Sequence, residues 1–490
     1  MLHLAFKNSK LKRKFVTNLA LVLFLNLLIK PFWILGIDRS VQNVVGAEEY
    51  GFYFALLNFS LILNIILDLG ITNFNNRNIA QHSHLLNKYF SNIITIRLLL
   101  GVAYAIISLI LAWLWNYQWC QIKLLLFLVF NQFLASFIMY LRSNLAGLHL
   151  FKTDSIISVL DRTLMIIICS LLLWGHIFDE PFKIKWFVFA QTAAYLITAL
   201  VAFLLVLWRS GRIKFRFDKR FTLAILKKSY PFAILTLLMA FYNRVDSVML
   251  ERMLEDGDRQ AGIYAQAFRI LDAASMFALL FAGLLLPIFS KMLKQKEAIG
   301  QLTQLSFILI SVPAVIVSIT CAFYSNEIME LMYQSHIESS ANIFAILMIG
   351  SIFISATYIF GTLLTANGSL RALNIMALSG MIINIGLNLI LIPRFQALGS
   401  AISSLTTQSI TAIIQVVIAF KIFRFHINYK LLILLLIFAS GVTLFGIISN
   451  DLPYNWMISM IIMVVLSFIL AFSIGLIKIK DMYQIIKNDK

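Results

Sequence analysis

Apolar residues along this chain gather into runs of about 20, the length that carries a helix across roughly 30 Å of hydrocarbon. Short polar breaks separate them. The pattern predicts fourteen spans, over residues 15–37, 49–71, 90–114, 121–141, 155–176, 186–208, 229–250, 262–289, 301–325, 340–364, 372–393, 398–420, 430–449 and 455–477. The expected fold is an all-α polytopic membrane protein. The first span follows the basic lead KNSKLKRK and has no small-residue cleavage site before Gly36, so it is expected to be an uncleaved helix.

Composition supports this pattern. Of 490 residues, 61% are hydrophobic and only 13% charged, and the mean hydropathy is +0.89. A soluble domain needs far more polar surface. The net charge of +18 invites comparison with nucleic-acid-binding proteins. Its placement gives a different reason. Loops on the side of the N-terminus hold 28 Lys and Arg, and the opposite loops hold 7. That bias sets both termini in the cytoplasm and accounts for the basic character without a nucleic-acid partner. The three cysteines are dispersed, and His82 and His84 read as loop residues, so neither a disulfide framework nor a metal site is expected.

The basic stretch 209–228 is the natural divider. It separates a six-helix bundle at 1–208 from a second at 229–420, leaving helices 13 and 14 with a tail at 421–490 as an appended segment. GFYFALLNF (51–59) resembles GIYAQAFRI (262–270), and LAGLHLFK (145–152) resembles TANGSLRA (365–372). Elements recurring six spans apart predict two bundles related by a pseudo-two-fold axis, as in transporters built from parallel repeats.

Charge inside the spans is costly and asks for a partner or a polar cavity. Five cations (Lys30, Arg97, Arg162, Arg244, Arg269) and four acids (Asp68, Asp161, Asp246, Asp272) fall there. Their positions predict two layers. Asp68, Arg97, Asp161 and Arg162 lie toward the cytoplasm, as a cross-paired inner gate or as arginines snorkelling to the interface. Lys30, Arg244, Asp246, Arg269 and Asp272 lie in the outer half. There the plainer reading is a static Asp246–Arg269 bridge between spans 7 and 8. The functional one is a cationic cavity lined by Lys30, Arg244 and Arg269. Pro31, beside Lys30, removes a helix hydrogen bond and is either a hinge or a fixed kink. No phosphate loop, nucleophile elbow or zinc-protease motif occurs, so neither an enzyme nor a cofactor is expected.

EEYGFYFALLNFSLILNIILDLG (48–70) with Arg77 and Ile79–Ala80, Arg142 with Gly147, NRVDSVML (243–250) and AGIYAQAFRILDA (261–273) together carry a resemblance. In that order they resemble the polysaccharide transporter family, the Wzx-type O-antigen and capsule flippases of the MOP superfamily, which also holds MATE exporters and lipid II flippases. The resemblance implies two six-helix bundles around a cationic cavity. It implies a flippase moving an undecaprenyl-diphosphate-linked oligosaccharide between leaflets of the bacterial cytoplasmic (inner) membrane. It implies Arg269, Arg244 and, more loosely, Lys30 as substrate-binding cations, with Asp246 or Asp272 available for H⁺ or Na⁺ coupling. A polysaccharide polymerase and a chain-length regulator are the implied protein partners. A MATE-like ion-coupled small-molecule antiporter and a membrane-embedded glycan polymerase or transferase remain as alternatives.

Overall fold

A computed structural model describes residues 24–26, 28–72, 75, 79, 86–148, 150–175, 180–210 and 219–477. The basic N-terminal lead, Arg77, the His82/His84 loop, residues 211–218 of the basic divider and the C-terminal tail lie outside these residues. Every element among the described residues is helical. Among the described residues, twelve helices are long and apolar enough to cross a membrane.

Twelve rather than fourteen arises because two helices run on past one crossing, and each contains a break. Phe24–Asp68 is 45 residues long and Leu370–Phe423 is 54. A straight helix of the latter length would reach about 80 Å, well beyond the bilayer core. Gly46, with φ +82° and ψ 170°, breaks the first. Gln396, with φ +52° and ψ −132°, breaks the second. The second break is a reversal: a Cβ placed on Gly399 would lie 2.4 Å from the Leu391 carbonyl oxygen. Ser400 Oγ donates to Asn388 Oδ1 at 3.0 Å and Ser403 Oγ to the Asn384 carbonyl at 3.1 Å, closing a polar seam beside the turn. The breaks separate the predicted spans 1 from 2 and 11 from 12.

The chain divides into two compact units, Met1–Gly262 and Ile263–Lys490. In the first, a π-helical turn at Trp33–Asp38 leads into α1 (Arg39–Ile62), followed by the single turn α2 (Ile65–Asp68). Then come α3 (Leu86–Leu114), α4 (Trp119–Gly147), α5 (Phe151–Trp174), α6 (Ile184–Ser210) and α7 (Lys219–Met253). α8 (Gly257–Gln295) starts in this unit. The predicted first span ends nine residues too early: helix continues through Asp38, whose carboxylate accepts from the Tyr50 hydroxyl at 2.8 Å, and turns only at Gly46. A carboxylate with that partner can stay inside the helix. α7 packs along α1, and α4 along α6. A core of Phe90, Ile94, Leu134, Tyr140, Leu141 and Tyr195 joins α3, α4 and α6. Leu98, Val102, Ile106 and Trp113 on α3 are exposed, as a lipid-facing side requires.

The second unit holds α9 (Gly300–Phe323), the short α10 (Ser325–Met332), α11 (Ile337–Ala366), α12 (Leu370–Phe423), α13 (Tyr429–Asn450) and α14 (Trp456–Ser473). α11 packs on both α9 and α12. Helices α13 and α14 are seated on α9 through Val312, Val315, Phe438, Val442 and Met463. Tyr324 fixes that seat by donating to Ser449 Oγ at 2.8 Å.

The outer end of α7 is fastened within the first unit. Gln121 Nε2 donates to Glu251 Oε1 at 2.7 Å, Arg252 donates to Gln121 Oε1 at 3.0 Å, and the Arg252 guanidinium stands 3.7 Å from the Tyr117 ring centroid. Burial raises the Tyr117 hydroxyl pKa, with the Glu251 charge adding to it. Cation–π contact is worth about 0.5–2 kcal/mol. Arg252→Ala is therefore expected to lower the thermal midpoint of the purified protein by a few degrees. An unchanged midpoint would show the fastening to be energetically idle.

Candidate functional site

Each charged residue inside the spans is positioned by a local feature of its helix. The chain leaves α2 through Leu69 and Gly70, both at positive φ. Asp68 then accepts from the backbone N–H groups of Gly70 and Thr72, each at 3.1 Å. Arg97 reaches across from α3 to pair with Asp68. It also donates to the Leu67 carbonyl at 2.7 Å, Ser136 Oγ at 2.8 Å and Thr72 Oγ1 at 2.5 Å, and it faces the Tyr140 ring at 5.3 Å. The side chain of Arg97 is 2% exposed. Snorkelling does not describe it: the guanidinium turns inward and neutralises the carbonyl end of α2, where a cation is favoured.

Asp161 pairs with Arg162 at 3.7 Å. Arg162 lies between two rings, with Trp33 at 5.8 Å and Tyr195 at 5.7 Å. The inner-layer residues thus occupy two settings, Asp68 with Arg97 and Asp161 with Arg162.

Lys30 belongs beside the second of these, not in an outer layer with Arg244. The charges acting on it are those of Arg162, Asp161 and Arg142. Asn26 Nδ2 donates to Ser158 Oγ at 3.2 Å, which sets the register of the first span against α5 and brings position 30 level with position 162. The height estimate fails because the first span extends to Gly46, moving Lys30 back from its outer end. Pro31 lies two residues before the start of the π-helical turn Trp33–Asp38. Proline and π-bulges are two of the recognised causes of helix bending, and here they adjoin.

On α7, Arg244 is half-buried and donates to Asn58 Oδ1 of α1 at 3.4 Å. Asp246 is 1% exposed. Residues two apart on a helix point in widely different directions, so the two side chains meet different surroundings. Arg269 and Asp272 sit on α8 within the second unit, both half-buried. Six residues before Asp272, Gln266 is buried and its side chain donates to the Ser335 carbonyl at 3.4 Å, while its backbone carbonyl accepts from the Tyr333 hydroxyl at 3.1 Å. Among the described residues, no group of three or more His, Cys, Asp or Glu is placed to hold a metal.

Reading the sequence by charge misses the neutral partners: Asn58 for Arg244, Ser136, Thr72 and Tyr140 for Arg97, Trp33 and Tyr195 for Arg162. Asn58 carries a usable signal, as a lone amide in the apolar run FALLNFSLI. The tyrosines are indistinguishable from ordinary packing aromatics.

Several known proteins share this arrangement of helices. Residues 39–293 match the family described as polysaccharide biosynthesis protein. An uncharacterized membrane protein of Methanocaldococcus jannaschii is 24% identical over 384 residues, covering 74% of this chain and 88% of that protein. Among solved structures, the lipid II flippase MurJ in an inward closed conformation superposes with TM-score 0.69 at 16% identity, covering 93% of this chain and 98% of the other. An inward-facing multidrug resistance MATE family transporter of the MOP superfamily gives 0.61 at 13% identity, covering 84% and 98%. A MOP superfamily transporter from Pyrococcus furiosus, reported with a binding pocket of reverse polarity, gives 0.55 at 14% identity, covering 83% and 94%. The fold is therefore that of MurJ and the MATE transporters, in a multi-pass membrane protein.

Proposed function

The chain belongs to the polysaccharide biosynthesis protein family, and from that premise we propose that it flips an undecaprenyl-diphosphate-linked oligosaccharide from the inner to the outer leaflet of the bacterial cytoplasmic membrane. The observation that carries this reading is the set of cations inside the apolar helices: Lys30 and Arg244 in the first unit and Arg269 in the second. A diphosphate brings about two negative charges, which hydrocarbon rejects unless fixed cations receive them. An inside-negative potential then favours outward passage by about 2.3 kcal/mol per charge per 100 mV.

The proposed mechanism is alternating access. The diphosphate and glycan travel through the protein while the polyprenyl tail stays in the bilayer. The two halves of the chain supply the rocking bodies, and Pro31 with the nearby π-turn supplies a flexible point. Asp246 and Asp272 are the acids available for H⁺ or Na⁺ coupling. The product serves O-antigen, capsule or exopolysaccharide assembly, where a polymerase and a chain-length regulator take it up.

Export of surface glycan by cells carrying Arg269→Ala in place of the wild-type gene tests the reading. We expect glycan to disappear from the surface while the variant remains in the membrane at normal abundance. Normal export would remove Arg269 from the transport path. A MATE-like antiporter would instead change resistance to cationic drugs with surface glycan intact. Asp246→Asn separates the two readings of that acid: lowered abundance marks a structural bridge, and normal abundance with lost export marks coupling.

A further inference from the structure

Two connections meet at one end of the second unit. The first leads from α8 to α9, and the second from α12 to α13. Each reverses through a basic residue in the left-handed region, Lys296 at φ +56° and Arg424 at φ +52°. A residue in that conformation closes a helix C-terminus by returning a following N–H to the last turn. Here the Glu297 N–H donates to the Met292 carbonyl at 2.9 Å, and the Phe425 N–H to the Phe420 carbonyl at 3.2 Å. Phe425 then joins the two turns. Its ring lies against Gly300, the first residue of α9, 3.7 Å from where a Cβ would stand. The same ring meets Phe420 and Phe423 at centroid distances of 5.7 and 5.6 Å.

The aromatic junction carries an unneutralised charge. Lys291, Lys294, Lys296, Lys421, Arg424 and Lys430 are all exposed. The stretches 291–300 and 421–430 that hold them contain one acid, Glu297. Among the described residues, none of these six side chains is in an ion pair. Helix dipoles favour cations at the ends of α8 and α12, but not Lys430, which stands in the first turn of α13. Exposed apolar residues lie among the cations: Ile422 at 41%, Ile427 at 51% and Tyr429 at 69%. Ile427 belongs to the connection itself, not to the wall of a spanning helix. Water or a soluble acidic partner gives such a side chain nothing, whereas the boundary between headgroups and acyl chains accepts both it and the cations. By the positive-inside rule this end faces the cytoplasm, where the leaflet surface is anionic. We propose that residues 291–300 and 421–430 form a docking surface for anionic phospholipid headgroups of the inner leaflet. Lys296, Arg424 and Lys430 receive the lipid phosphates, and Ile427 and Tyr429 enter the boundary. The surface anchors the second unit where α12 joins the appended helices, and it does so whatever substrate the protein carries.

The test uses the purified full-length protein in nanodiscs of mixed phosphatidylglycerol and phosphatidylcholine, with retained lipids counted by native mass spectrometry. The readout is the ratio of the two lipids on the protein. Wild type is expected to retain phosphatidylglycerol in excess. The double variant Lys296→Gln with Arg424→Gln is expected to lower that preference about fivefold per cation removed, the factor equivalent to about 1 kcal/mol for each Lys or Arg at an anionic surface. Lys291→Gln with Lys294→Gln lies in regular helix, away from both left-handed turns. It is expected to shift the ratio in the same direction and decides the matter if the first variant does not fold. Soluble glycerol 3-phosphate is expected to leave the bound phosphatidylglycerol in place. If the cations serve topology alone, wild type and variants retain the two lipids in the same ratio, and the inference is overturned. Displacement of phosphatidylglycerol by glycerol 3-phosphate would make this a site for free phosphate and overturn the leaflet assignment.

Discussion

Arg97→Ala is expected to remove most of the folded protein from the membrane. The substitution leaves Asp68 without its cation and the Leu67 carbonyl, Ser136 and Thr72 without their donor. Breaking a buried ion pair from one side costs about 3–5 kcal/mol; Asp68 is 27% exposed and keeps the Gly70 and Thr72 N–H donors, which puts this pair at the lower end of that range, still a large part of a typical total stability. Arg97→Lys is expected to rescue little, since one ammonium cannot serve acceptors that lie in different directions around a planar fork. Fluorescence-detected size exclusion and a thermal melt measure the outcome. A double substitution, Arg97→Ala with Asp68→Ala, should cost less than the sum of the two single changes, because the stranded acid is gone. An Arg97→Ala protein that melts like wild type but no longer exports glycan would reverse the assignment and make the pair a gate.

The second large effect is steric. Gly51 of α1 and Gly262 of α8 are both in the first unit, and the two backbones approach so closely there that no side chain fits. A Cβ on Gly262 would lie 1.8 Å from the Ala47 carbonyl oxygen, and one on Gly51 would lie 1.8 Å from the Asp258 carbonyl oxygen. The obstructing atoms are backbone, so no rotamer change relieves them. Gly262→Val is expected to destabilise at or above the top of the about 1–3 kcal/mol range typical of overpacking. Gly386→Ala is the control: nothing lies within 4 Å of its added carbon, and alanine gains about 0.5–1 kcal/mol over glycine in a helix. Equal melting temperatures for the two variants would show that the close approach does not hold these helices together.

The reach of the sequence is clear from these same residues. Membrane spans are legible because the bilayer imposes a length and a polarity on each of them, and local composition records both. The breaks at Gly46 and Gln396 are partly legible. Gly46 is a glycine in a polar gap, whereas Gln396 takes a left-handed φ that glutamine rarely adopts and no pattern announces. Which charges lie inside the spans is legible for the same reason as the spans themselves. Their partners are not. Counting from a span end at residue 37 misplaces Lys30, because helix runs on nine residues to the break at Gly46, about two and a half turns. Arg97 and Arg162 look alike as lone arginines in apolar runs, yet one is enclosed by four acceptors and the other is held between two rings. Only long-range packing separates them, and it depends on residues 39 and 129 positions away from the arginines that use them, Ser136 for Arg97 and Trp33 for Arg162.

The division of labour that follows is an energetic one. Enclosed charges such as Arg97 stabilise through their internal bonds, and a ligand would have to displace those bonds to reach them. Half-buried cations such as Arg162, Arg244 and Arg269 retain surface on which a ligand can act. Translocation of a charged headgroup asks for the second kind and gains nothing from the first.

Purified protein in liposomes containing a fluorescent undecaprenyl-diphosphate-linked oligosaccharide measures the central claim directly, through the fraction of glycan that becomes accessible to an enzyme or quencher outside the vesicle. The account predicts transbilayer movement with wild-type protein, faster with a potential that draws the anion across. It predicts near-background movement with Arg269→Ala or Arg244→Ala at equal protein content. Movement that is equally fast in wild-type and cation-less protein, or absent from well-folded wild type, would contradict it.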